Sequence, residues 1–266
     1  MDHGARVRAW IDELESRHLG DLTPAEVGRA LRALSSCYVE RRDKLATGAA
    51  LESRGKRAAF ALFYGPLHYF VVTEIVRALG NSANGLGELV DLGCGTGAAG
   101  AAFALESGAA KISGIDRSSW AVEEANWTYK TLGLSGRAVR GDIARFRTRA
   151  GERSGLLAAY TANEVAAATR SSILTELLRA AARGARILVV EPIARRMSPW
   201  WDEWETAFAR AGGRSDEWRF RAELPARQRS LARAAGLDPR ELTARTLWLQ
   251  GDSSQPGIKS RGNGRI

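Results

Sequence analysis

The chain has 266 residues, 45% of them hydrophobic, with a formal net charge of +9. That length allows one catalytic domain with a sizeable core plus an N-terminal extension. No uninterrupted run of eighteen apolar residues occurs and Met1-Asp2-His3-Gly4 lacks the regions of a secretory signal, so neither a membrane span nor export is expected. Two cysteines and three scattered histidines exclude a disulfide framework and a Cys/His metal cluster, and they suggest a reducing, cytoplasmic setting.

In chain order, residues 1–80 read as a helical cap. Thr23-Pro24-Ala25-Glu26 combines a capping box with proline at the first helical position. Val27, Leu31, Leu34 and Tyr38 then mark one apolar face. A second long helix is predicted over 56–79, kinked at Gly65-Pro66. Its segment from Phe60 to Phe70 is denser in aromatics than a surface helix needs. Packing on a sheet accounts for such a stripe, and so does a lid with Tyr64 and His68 reaching a ligand.

Residues 81–250 alternate strands and helices, which predicts a doubly wound, mostly parallel α/β sheet. Leu89-Val90-Asp91-Leu92 is a buried strand entering the turn Gly93-Cys94-Gly95-Thr96-Gly97, and Ala98 to Phe103 follows as a helix. Strand, glycine turn and helix in that order form a nucleotide site. Gly95, Gly97 and Gly100 satisfy the dinucleotide spacing, but Asp91 would repel a pyrophosphate and suits a ligand with an ammonium group. The run Val90 to Gly97 resembles motif I of the class I S-adenosylmethionine (SAM) methyltransferases, which have a Rossmann-like fold. The resemblance implies that Gly93, Gly95, Thr96 and Gly97 wrap the methionine part of SAM while Asp91 orders its amino group.

Two further strand ends carry acids. Lys111 to Asp116 ends about 20 residues beyond the glycine turn, where an acid accepts both ribose hydroxyls. Ser118 and Ser119 cap the next helix, 120–132. Ala138 to Ile143 reads as the third strand. The resemblance implies that Arg117 lies near the adenine edge, that Asp142 bonds the adenine amino group, and that Ile143 lies against the ring. Gly155 to Glu164 is the expected fourth strand, with its end facing the transferred methyl. Asn163 is counted among the cofactor contacts, and Tyr64, His68, Tyr160, Asn163 and Glu164 are the candidate base or orienting groups. Arg186 to Pro192 supplies a fifth strand and 242–250 a last one. Helices are predicted at 200–211 and 226–235, and 218–224 is left as strand or irregular insertion. Trp200, Trp201 and Trp204 have the spacing of core packing. Residues 251–266 read as a disordered tail.

A second similarity runs over roughly residues 30–195. Leu34 to Arg42, the helix near Tyr64 to Phe70, motif I, Ala159 to Glu164 and Val189-Val190-Glu191-Pro192 resemble the methyltransferase-like family of small-ribosomal-subunit assembly factors. Its mitochondrial members carry a cysteine set for an iron–sulfur cluster, which two cysteines cannot supply. Lysine occurs only at 44, 56, 111, 130 and 259, so arginine makes up the other 34 of 39 basic residues. Arginine clusters at 137–149, 195–196, 219–221 and 227–229 fit an RNA partner; a GC-rich genome produces the same bias. Ribosomal RNA or a ribosomal particle is therefore the leading expected acceptor. A small molecule and a non-catalytic SAM-binding assembly factor are the alternatives. No catalytic side chain is dictated, because positioning supplies most of methyl-transfer catalysis.

Overall fold

The computed structural model describes residues 3–20, 22–40, 51, 53–194, 198–221, 223–237 and 240–251, the side chains of 37–40 excepted. The sequence places Arg195, Arg196 and the C-terminal tail beyond 251 outside these residues, along with the side chain of Tyr38.

Seven strands form one sheet: β1 (Glu88–Leu92), β2 (Lys111–Asp116), β3 (Gly136–Arg140), β4 (Ser154–Ala159), β5 (Arg186–Glu191), β6 (Arg214–Arg221) and β7 (Glu241–Gln250). Their order is β3-β2-β1-β4-β5-β7-β6. The first five run parallel, and β7 pairs antiparallel with both β5 and β6. This is the mostly parallel α/β sheet expected from the alternation of elements. Strand order reverses between β1 and β4, so the C-terminal ends of these strands open a crevice. Leu89, Leu92, Leu156 and Leu157 are wholly buried there, as strands covered on both faces require.

Helices α5 (Ala98–Ser107), α6 (Ser119–Thr131), α7 (Ala167–Ala181) and α8 (Trp201–Arg210) flank the sheet. The Ser118 hydroxyl caps α6 by accepting from Ala121 N at 3.3 Å, as expected. Trp201, Trp204 and Phe208 are buried under α8. The segment 214–221 is a strand, which answers the choice left open at 218–224 as far as Arg221; Glu223 and Leu224 lie outside it. Its periodicity is obscured because Trp218 and Phe220 alternate with charged residues on a sheet edge.

The cap comprises α1 (His3–His18), α2 (Pro24–Glu40), α3 (Arg54–Ala59), a π-helical turn (Phe60–Tyr64) and α4 (Gly65–Leu79). The capping box forms as read: Thr23 Oγ1 accepts from Glu26 N, and Glu26 returns an acceptor to Thr23 N at 2.8 Å. Val27, Leu31 and Leu34 are fully buried. A further helix, α9 (Ala226–Ala234), joins the cap: Arg227 pairs with Glu15, and Gly28 packs on Ala234.

The long cap helix extends further than the 56–79 expected. The run 54–83 is helical throughout, long and apolar enough by length and composition to cross a membrane, but 67% of its apolar window is buried inside the protein, as in a core helix. Nor is the disturbance at Gly65-Pro66 a simple kink. Pro66 has no N–H for the Leu62 carbonyl four residues back, and its ring would press on that carbonyl. The chain widens into a π turn, with Gly65 N bonding Phe60 O. The stranded Leu62 carbonyl accepts instead from Gln228 Nε2 of α9 at 3.2 Å, in a buried contact.

Candidate active site

A cavity of about 660 Å³ lies at the C-terminal ends of β1 to β5 and the start of β7, roofed by the cap. This is the size range of small-molecule and cofactor sites. It brings together every candidate read from the sequence except Gly97: Tyr64, His68, Asp91, Gly93, Gly95, Thr96, Asp116, Arg117, Asp142, Ile143, Tyr160, Asn163 and Glu164.

The three turn glycines all have positive φ, yet they serve different neighbours. A Cβ on Gly93 would meet Thr161 Cγ2 at 2.5 Å, and one on Gly97 would meet Tyr129 Cε1 at 2.8 Å. Both are therefore glycine for internal packing. A Cβ on Gly95 would find only the Phe60 ring, at 3.9 Å, so Gly95 is the glycine that faces the cavity. Gly65 packs its backbone against Thr96, where a Cβ would lie 3.3 Å from Oγ1. The cap helix thus rests directly on the turn.

Asp91 is 1% exposed, and its Oδ2 has no hydrogen-bond partner. Burial, then the charge of Asp116, pushes its carboxyl up to about 7. Oδ2 lies against Gly100 of α5, whose amide offsets part of the burial; an incompletely paired buried carboxylate is costly, and a cationic ligand in the cavity that Asp91 lines would relieve it further. Asp116 is held ready: Oδ2 accepts from Gly95 N at 2.9 Å and Oδ1 from Ser118 N at 2.8 Å. Asp142 lies beyond the end of β3, which stops at Arg140 rather than at 143, and its Oδ1 accepts from Ala144 N at 2.9 Å.

The fourth strand also ends earlier than expected, at Ala159. Tyr160 turns the chain with φ +57°, a left-handed conformation uncommon outside glycine and costly to hold. Residues 162–164 form a 3₁₀ turn. The strain swings the Tyr160 ring onto His68, whose ring stacks on it at 4.0 Å and 16°. Burial holds the His68 imidazole down to about 3, so it stays neutral at physiological pH. Tyr64 is hydrogen-bonded to Ser35 and lies 6.1 Å from His68, ring to ring. Both Tyr64 and His68 are half-buried on the cavity wall.

Sequence reasoning missed Phe60, Thr161 and Glu191 as site residues. Glu191, at the end of β5, is fully buried and accepts from Asn163 Nδ2 at 2.6 Å and Asn163 N at 3.3 Å. Asn163 Oδ1 in turn accepts from Trp200 Nε1 at 2.9 Å, so Asn163 is locked in one orientation. Burial raises Glu191 to about 8 and Glu164 to about 7. The usable signal for Glu191 was a charge closing an otherwise apolar strand.

Residues 89–184 match the family described as a methyltransferase domain. No curated protein matches the chain. Among solved structures, the plantazolicin methyltransferase BpumL in complex with S-adenosylhomocysteine (SAH) is 15% identical, covering 92% of this chain and 99% of its own, at TM-score 0.48. The N-methyltransferase NodS from Bradyrhizobium japonicum is 13% identical over 67% of this chain and 85% of its own, at 0.49. YcgJ from Bacillus subtilis is 14% identical over 69% and 98%, at 0.47. The second resemblance, to small-subunit assembly factors, gains no support from these matches. The matched stretch begins in β1, carries the glycine turn and ends just before β5, so the chain contains a methyltransferase domain over residues 89–184 of this sheet.

Proposed function

We propose that the chain transfers a methyl group from SAM to a compact acceptor enclosed between cap and sheet. The observation that carries this is the pairing of Asp91, buried with an unpartnered oxygen, with a turn in which Gly95 opens onto the cavity. A ligand carrying an ammonium group and approaching the main chain closely fits both. Asp116 is placed for ribose hydroxyls, with Arg117, Asp142 and Ile143 on the adenine side. Bound SAM supplies a methyl group already activated by its sulfonium. The chain's own part is to orient the two reactants and exclude water. Six acidic side chains line the cavity (Asp91, Asp116, Asp142, Glu164, Glu191 and Glu241) against the guanidinium groups of Arg57 and Arg117, and burial holds Glu191, Asp91 and Glu164 ready to ionise when a cation arrives. Such a lining favours cations and disfavours both a pyrophosphate cofactor and a polyanionic acceptor.

Asp116→Ala tests the cofactor half. A hydrogen bond to a charged group is worth about 1.5–3 kcal/mol, so SAH affinity by calorimetry should fall roughly 10- to 150-fold. Equal affinity in variant and parent would refute the assignment.

RNA is the second reading, and one observation favours it. Arg137, Arg140, Arg145 and Arg149 are exposed on and beyond the edge strand β3, although Arg147 lies 3.7 Å from Glu176. Four to six phosphate contacts would give a slope of log affinity against log salt of roughly −3 to −4. A flat salt dependence removes this reading.

A further inference from the structure

The cavity has a second half that the cofactor residues leave unused. On the cap side the π turn brings Phe60, Tyr64 and His68 to one wall at a four-residue spacing, ring centroids 5.9–6.1 Å apart. Tyr160 completes it through its stack on His68. Glu164 and Glu191 line the same cavity. Glu191 is engaged by Asn163, but the half-buried Glu164 side chain makes no hydrogen bond or ion pair among the described residues. The Tyr160 phenol feels the charge of Glu191, Glu191 that of Glu164 with Arg245 opposing, and Glu164 that of Asp116 with Arg117 opposing. The carboxylates therefore form a continuous row from the ribose acid to the ring wall.

We infer that the space between the Tyr64–His68–Tyr160 wall and Glu164 is the acceptor subsite, and that it takes a compact amine. This rests on the cofactor reading above. Ring faces attract cations, most strongly where water is excluded, and a carboxylate in the same cavity completes the pairing. The chemistry needs such a site on both sides of the reaction. The amine nitrogen gives its lone pair to the methyl carbon as the carbon–sulfur bond breaks, and that electron pair stays on sulfur. SAH leaves neutral at sulfur, and the positive charge passes to the methylated nitrogen. A primary or secondary amine then yields one proton to Glu164 or to water. Neutral His68 adds no competing positive charge.

Choline, as a soluble quaternary ammonium that mimics a methylated product, is the probe, with 3,3-dimethylbutan-1-ol as its uncharged isostere. Both are titrated calorimetrically into the full chain saturated with SAH. Choline should bind at least tenfold more tightly than the isostere. Tyr64→Leu and Glu164→Gln should each weaken choline about tenfold while SAH affinity and melting temperature stay near those of the parent. Equal binding of choline and isostere, or choline affinity unchanged in both variants, overturns the amine subsite. No choline binding to SAH-loaded protein overturns it too, and would assign the acids to the sulfonium alone. Failure of SAH itself to bind instead refutes the cofactor reading.

Discussion

Single residues divide the glycine turn into scaffold and contact surface. Gly97→Ala would drive a Cβ onto Tyr129 and Ala125, all at 2.8–3.0 Å, in a left-handed conformation. In denaturant titration it should lose about 1–3 kcal/mol for overpacking on top of the backbone cost of about 1–2 kcal/mol that a Cβ at either left-handed glycine incurs. Gly95→Val points into open space, so SAH binding should vanish while the fold survives with about 1–2 kcal/mol of backbone cost. Comparable loss of stability in the two would contradict the division. The motif was legible from spacing alone, but which glycine serves the ligand was not, since Thr161, Ala125 and Tyr129 decide it from distant parts of the chain. Glu191 carries a pH signature. The Asn163 and Ala162 amides, Glu164, Tyr160 and Arg245 all face it, and burial dominates. Its folded value of about 8 lies above the ordinary 4.5, so the folded state holds the extra proton and stability falls as pH rises between them. Glu191→Gln should make that decline shallower when unfolding is followed from pH 5 to 8, leaving the part that Asp91 and Glu164 contribute. An unchanged slope would show that Glu191 is not its source.

At the scale of elements, one proline explains the roof of the site. Pro66 forces the π turn, the π turn aims Phe60 and Tyr64 at the cavity, and Gln228 satisfies the carbonyl left over. Gln228→Ala leaves the buried Leu62 carbonyl unpaired and should cost about 1–3 kcal/mol. A melt that does not move would mean that water or a shifted helix replaces the bond. The proline and aromatic stripe were readable in sequence. Their resolution was not, because the compensating donor sits 166 residues away. The end of β4 was misread for a related reason. Ala162 to Glu164 has no residue that forbids a strand, and the break comes at a left-handed Tyr160, held by its stack on His68 and by the Thr161 hydroxyl on the Leu92 carbonyl.

For the molecule as a whole, charge and site pull apart. The chain carries +9 overall, yet acids dominate the cavity. Composition reports the surface, and the arginines there include structural ones such as Arg227 on Glu15 and Arg183, which donates to the Ala150 carbonyl at 3.0 Å. The mostly parallel α/β sheet, and the gathering of Asp91, Asp116 and Asp142 at one cavity, followed from elements and strand ends read in sequence. The remaining wall was legible only in part: Tyr64, His68, Tyr160 and Glu164 were candidates, whereas Phe60, Glu191 and the start of β7 join it from parts of the chain distant from one another in sequence. The central claim is that this crevice holds SAM and not a dinucleotide. Calorimetry on the full chain with SAH and with NAD tests it most directly. One-to-one SAH binding with no heat from NAD is the result predicted; NAD binding, or no SAH binding at all, would contradict it.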